Sequence, residues 1–237
     1  MFRKFYTNSS SLSYPFPPRS TLAGLIAGLM GYERDSYSED LSLEQCKIAV
    51  SVKTPVRRVM QTVNYLMTKS PSDFDGSAGG TQIPVEWLFP EINHPKLRYR
   101  IYVTHENIEW LENLNTLFTT NTWIYPPYLG MSECLAQVAH VATVSNWTLE
   151  RPEKAKLLAT VVPVQALEGA PELIPGSQII KERIPLALDR DRRLKVICDV
   201  LYERTNKGVT ARLNRPAFHV TYEVQGTPTD EVGVFLE

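Results

Sequence analysis

The segment 15–31, PFPPRSTLAGLIAGLMG, constrains the fold more than any other part of the chain. Pro15, Pro17 and Pro18 hold the approach extended, and Ser20 or Thr21 can cap a helix start. Leu22, Leu25, Ile26, Leu29 and Met30 share one apolar face, and Gly31 supplies the stop. The first turn of such a helix carries unpaired N–H groups and the positive end of the macrodipole, which favours a phosphate or carboxylate, and Arg19 adds charge of the same sign. The plain alternative is a buried start that serves only its own cap. Gly24 and Gly28, with Ala23 and Ala27 beside them, predict a second backbone crossing close by, since glycine inside a helix costs about 1 kcal/mol and needs a reason. The apolar run is too short to span a bilayer.

At 237 residues, 43% hydrophobic and 22% charged, the chain suits one large or two small globular domains. Seventeen prolines against twelve glycines predict rigid corners and short elements. Cys46, Cys134 and Cys198 are odd in number and far apart, which argues against a disulfide framework or structural zinc and for a reducing cytoplasm. FYTNSSSLSYP follows Arg3 and Lys4 in place of an apolar core, so no signal peptide is read and the sequons at Asn8 and Asn146 are chance matches. Net charge is only −1, but its distribution is uneven. Arg3, Lys4 and Arg19, and then Lys47, Lys53, Arg57, Arg58 and Lys69, lie in stretches without acids, whereas acids gather at 33–44 and 106–112. This pattern predicts nucleic acid on one face and protein on others.

Met1 to Tyr6 reads as a strand end and 46–53 as a half-buried strand by its alternation. Two arms, VMQTVNYLMTK and TQIPVEWLF, flank the flexible tip SPSDFDGSAGG and predict a projecting hairpin whose Tyr65, Leu66, Ile83, Trp87 and Leu88 need a partner surface. In 96–104, Leu97, Tyr99, Ile101 and Val103 face one way, and Arg98, Arg100 and Tyr102 the other. That second face is either a single-stranded RNA platform or a solvated surface. Thr104 to Phe118 reads as an amphipathic helix capped at Thr104 with Ile108, Leu111, Leu114 and Phe118 inward, and 134–144 as a further strand. The order strand, helix, strand, arm, strand, helix, strand is that of an α+β ferredoxin-like or RNA-recognition-motif domain over 1–145, with the arm at about 57–92. A smaller β-rich extension follows over 146–237, with strands at 157–164, 194–202, 217–224 and 232–236 and a solvated DRDRR turn.

FRKFYTNSSSLSYPFPPRSTLAGLIAGLMG, TPVRRVMQTVNYLMTK, TQIPVEWL, YRIYV and PPYLGMSECLAQV resemble, in that order, the signature segments of CRISPR-associated protein family 5, with subtype I-B the most similar. The resemblance covers the first 145 residues well and the rest loosely, through KERIPLALDRDRR and VLYE. It implies a cytoplasmic subunit of the type I Cascade surveillance complex that caps the 5′ handle of the crRNA. The same resemblance implies a thumb against the family 7 backbone subunit, docking to the family 8 large subunit, and target DNA nearby at the PAM. FPPRST puts Arg19, Ser20 and Thr21 near handle phosphates, with Lys4, Tyr6 and Ser9 beside them. RRVMQTVNYL puts Arg57, Arg58, Gln61 and Asn64 at the thumb base, TQIP puts Thr81 and Gln82 on the returning arm, and Lys53 joins the set from the basic stretch before the thumb. YLG puts Tyr128 and Gly130 at the start of the last sheet strand, as a turn or an RNA contact. Family members usually carry a complete strand ahead of FRKFY, which here follows Met1 directly and predicts a short central strand. Gly79 and Gly80 stand where a basic residue often precedes TQIP.

Metal-free RNA cleavage needs a base for the 2′-OH, an acid for the leaving oxygen and a cation for the phosphorane. His94, His105, His140 and His219 are scattered outside the RNA-binding segments, and no HExxH, GxSxG or P-loop occurs. The reading is a non-catalytic RNA-binding scaffold with no metal, cofactor or membrane partner. The alternative is an endoribonuclease processing precursor crRNA, as in the subtype I-C branch the resemblance brings to mind.

Overall fold

The computed structural model describes residues 1–7, 10–65 and 68–237. Strands β1 (Phe2–Arg3) and β2 (Ser13–Tyr14) pair antiparallel, and the proline corner leads into α1 (Arg19–Met30). Neither Ser20 nor Thr21 caps it. The N-cap is Pro18, whose carbonyl accepts from Leu22 at 3.0 Å, so both hydroxyl residues fall inside the first turn. Gly31 ends the helix at φ +83°. The amide of Tyr32 reaches the Ala27 carbonyl at 3.0 Å, closing a Schellman turn. A Cβ at Gly31 would also lie 2.8 Å from Ile124, so only glycine fits on both counts. The buried stripe is Leu22, Ala23, Ile26, Ala27 and Leu29, rotated from the expected one toward the alanines, while Leu25 and Met30 are half-buried. Among the described residues no other backbone lies within 4 Å of where a Cβ would stand at either glycine: Gly24 faces the Tyr37 hydroxyl and Gly28 open space.

Strand β3 (Cys46–Val52) is buried on both faces, not half-buried as its alternation suggested. It pairs antiparallel along its length with a strand introduced below, at 99–105. Its other edge is taken by Val161, whose amide donates to Val50, and Leu236, whose amide donates to Ile48. Cys46, Ile48, Val50 and Val52 join α1 in the main core, while Ala49 packs with Phe218, Val220, Tyr222 and Phe235 on the opposite face. Polar residues on the second face survive burial by pairing, as when the Ser51 hydroxyl donates to the Ala159 carbonyl.

The arm is present. β4 (Val56–Tyr65) and β5 (Thr81–Pro90) pair in continuous register from Val56 opposite Pro90 to Tyr65 opposite Thr81, with the short helix α2 (Pro71–Phe74) near the tip. Ten-residue strands reach about 34 Å. Ser11 steadies the middle of the arm, its amide donating to Pro84 and its carbonyl accepting from Glu86, both at 2.9 Å. β6 (Tyr99–His105) and α3 (Ile108–Thr120) follow. The strand runs on through His105, so the cap moves from Thr104 to Asn107, whose side chain accepts from Glu109 and Trp110. Trp110 and Leu114 turn inward, whereas Ile108 stays exposed at the helix start.

The strand expected at 134–144 does not form; only an isolated bridge joins Tyr128 and Leu135. The fold is α+β, and among the described residues the sheet around β3 is the pair β3–β6, because the C-terminal part has claimed the free edge of β3. That part holds β7 (Trp147–Glu150), β8 (Lys156–Leu158), β9 (Val162–Pro163), β10 (Ile179–Leu188), β11 (Leu194–Glu203), β12 (Val209–Ala211), β13 (Ala217–Val224) and β14 (Thr227–Gly233). They form sheets ordered β10-β11-β9 and β12-β8-β14-β13-β7. β11 and β13 lie where patterning put them, the run at 157–164 splits in two, and the last strand shifts upstream of 232–236. β7 and β10 escaped notice, β10 because its register shifts beside Pro185 break the alternation. DRDRR is the exposed turn between β10 and β11. Ile184, Leu186, Val200, Tyr202 and Leu236 share the core of α1 and β3, so a boundary at 145 does not separate two cores.

Candidate nucleic-acid interface

The period of two along β4 sends Arg58 to the same face as buried Val56 and Arg57 to the other. Arg58 there meets β10 and donates to Glu182 at 2.9 Å, with Glu86 at 3.9 Å and the Tyr202 hydroxyl at 3.4 Å. Glu182 is buried and accepts both its bonds to Lys4, at 2.7 and 2.9 Å, with the Lys4 ammonium 5.5 Å from the Tyr14 ring. Burial works against the Arg58 cation, but the Glu182 hydrogen bond and the neighbouring Tyr202, Glu86 and Glu182 charges outweigh it and raise its pKa. Burial, with the nearby Tyr6 and Glu182, raises the Tyr14 phenol, which stays protonated and donates to the Arg183 carbonyl. Two cations and two carboxylates thus cancel at the root of the arm. Lys4 and Arg58, expected at handle phosphates, are committed to Glu182.

Arg19 is corrected in the same sense. It is 1% exposed, and its guanidinium donates to the carbonyls of Leu186, Leu41, Ser42 and Cys46 at 3.2, 3.1, 2.8 and 2.6 Å. Burial lowers its pKa, partly offset by Cys46, Glu44 and Glu237. It staples the loop before β3 to α1 and β10, and its charge faces no solvent. Ser20 and Thr21 are half-buried beside it.

Lys53 is paired with Glu231, which also accepts from Tyr102 and Tyr222 and has Arg100 at 4.0 Å. Burial pushes the Glu231 carboxyl up, yet the bonds from Lys53, Tyr102 and Tyr222 win and its pKa is lowered. The Arg100 and Tyr102 face of β6 is therefore neither an RNA platform nor a solvated surface. It is the seam against β13 and β14, with Tyr102 packed 5.0 Å from Phe218; Arg98 alone of that face stays exposed.

Arg57, stacked 5.8 Å above the Phe89 ring, Gln61 and Tyr65 lie on the face of the arm opposite to Arg58, called the outer one, which they share with half-buried Val59 and Val63 and fully buried Val85, and Thr81 stands opposite Tyr65. Among the described residues Arg57 has no carboxylate partner. Asn64 and Gln82 face each other on the inner side near the tip, and Tyr6 is exposed with its ring 5.8 Å from the Lys4 ammonium. Ser9 lies outside the described residues. Tyr65 also helps line a cleft of about 380 Å³ with Met1, Arg3, Ser10, Ile83 and Gly130. Arg3, in that cleft, is exposed; Phe2 is buried, so the strand period turns Arg3 outward. Gly130 is structural, since at φ +85° a Cβ there would sit 1.9 Å from the Met1 carbonyl oxygen.

Three of the four histidines are occupied elsewhere: His105 stacks 4.4 Å from Trp110 and bonds to the Asp40 carbonyl, His140 bonds Thr143, and His219 bonds Asp230, while His94 is exposed. Among the described residues no cluster of three His, Cys, Asp or Glu side chains could hold a metal ion, and no helix is long and apolar enough to cross a membrane.

Residues 2–112 match the family model described as CRISPR-associated protein (Cas_Cas5). The chain also resembles a solved structure titled CRISPR RNA-guided surveillance complex, at TM-score 0.49 and 14% identity, covering 90% of this chain and 86% of that one. No curated protein sequence matches significantly. The matched segment runs from β1 through the arm into α3, the part of the chain that carries the face around Arg57, and over that segment the chain is similar to CRISPR-associated Cas5 proteins.

Proposed function

We propose that this chain is a crRNA-binding subunit of a type I Cascade complex, subtype I-B, which holds the 5′ handle without cutting it and joins the family 7 backbone to the family 8 large subunit. The observation that carries the reading is the outer face of the arm. It offers one cation free of carboxylates in Arg57, an amide in Gln61 and an exposed ring in Tyr65, opening at its far end onto the cleft with Arg3. This set suits single-stranded RNA: guanidinium to phosphate, ring to base. Arg57 and Gln61 supply charge and hydrogen bonds but no proton acceptor, which supports a holding role over a cleaving one.

The test is an assembled complex carrying crRNA with 4-thiouridine in the handle. Photo-crosslinks to Tyr65 are expected, and the RNA stays intact in EDTA. Crosslinks confined to other subunits would remove this chain from the handle, and cleavage of repeat RNA in EDTA by the purified chain would establish the ribonuclease reading instead.

A further inference from the structure

We infer that α3 and the segment 124–144 form a docking surface for a basic, extended strand of a partner protein, independently of any role in RNA binding. Between Ile101 and Glu150 the sequence has no lysine or arginine, and its charges are five glutamates, Glu106, Glu109, Glu112, Glu133 and Glu150. Glu109 and Glu112 lie on the solvent face of α3. The segment after it is held to that helix by the Thr143 hydroxyl, which donates to Asn115, and to the body by Ile124, whose amide donates to the Leu29 carbonyl.

From Cys134 to Ala139 the side chains alternate as in a strand, Cys134, Ala136 and Val138 half-buried and Leu135, Gln137 and Ala139 exposed. Yet among the described residues no backbone group of 137–146 is hydrogen-bonded to another backbone group. Leu135 is 76% exposed, and Ile124, Tyr125, Tyr128 and Val141 are also open to solvent. An unpaired extended backbone with an apolar face is a template for a further strand, and proteins ordinarily cover such edges. Main-chain pairing would supply affinity, and the apolar side chains would set the register. Glu109 and Glu112 on α3, the helix to which Thr143 is tied, and Glu133 beside Cys134 choose the occupant by charge. They repel RNA, and a second copy would bring the same five glutamates, whereas a strand rimmed with lysine or arginine is complementary.

Hydrogen exchange of the amides of 137–144 in the full chain tests this, with a short peptide of alternating lysine and valine as the probe at millimolar concentration. These amides should exchange near the unstructured rate in the free chain and about tenfold more slowly with the peptide. A glutamate–valine peptide and a single-stranded RNA should leave them unchanged. Val141→Lys and, separately, Leu135→Lys should abolish the protection without lowering the melting temperature. The inference fails if the amides are already protected in the free chain, if the lysine–valine peptide gives no protection, or if RNA or the acidic peptide protects equally. Protection that grows with protein concentration alone would make the occupant a second copy and overturn it too.

Discussion

Arg57 and Arg58 are neighbours in the chain and meet opposite surroundings. Arg58 turns to the face of Val56, where Glu182, Glu86 and Tyr202 hold it although it stays partly exposed, while Arg57 lies over Phe89 on the other face of the arm with no carboxylate partner among the described residues. The inner face is an electrostatic joint linking β1, the arm and β10, and the outer face keeps charge to spend on a ligand. Positive residues of one basic stretch thus divide into those that pair within the protein and those left free for a ligand. Carboxylates distant in sequence decide which is which.

The contrast breaks first at Arg19, the most deeply committed cation. Arg19→Ala would strip the charged donor from four buried carbonyls and leave a cavity, so a loss of about 4–5 kcal/mol in urea unfolding is expected. A loss below about 1 kcal/mol would mean that solvent reaches it. Glu182→Ala comes next, since it abandons two cations on the inner face. A cost of about 3–4 kcal/mol is expected, and Lys4→Met in the Glu182→Ala background should recover part of it.

The seam at Glu231 gives a pH signature. Its pKa is lower folded than unfolded, so its contribution is complete above the unfolded value of about 4.5 and is lost as pH falls through the folded one. The wild type should therefore lose more stability than Glu231→Gln on acidification below about pH 4.5, and parallel curves would contradict the pairing. Smallest in stability is Arg57→Ala, expected within about 0.5 kcal/mol of the wild type, because nothing in the fold depends on it.

Much of the frame was legible where local chemistry dictates it. Proline before and glycine after define α1, and a Gly/Ser tip between two alternating arms defines the hairpin. What was not legible depends on partners far away in sequence. Arg19 looked like an anion ligand because carbonyls at 41, 42, 46 and 186 leave no mark in the sequence around it. Arg100 and Tyr102 read as either a stacking platform or a solvated face because Glu231 and Phe218 lie more than a hundred residues later. The segment 134–144 does alternate as a strand, but alternation cannot report whether a neighbouring edge is free, and Val161 and Leu236 had taken that of β3.

The most direct test of the division compares how crRNA release from the assembled complex depends on salt for Arg57→Ala and Arg58→Met, each at matched folded concentration. Removing one phosphate contact to a single strand should reduce the slope of log K against log salt by about 0.7 for Arg57→Ala and leave it unchanged for Arg58→Met. A reduced slope for Arg58→Met with none for Arg57→Ala would show that the inner face, not the outer one, meets the RNA.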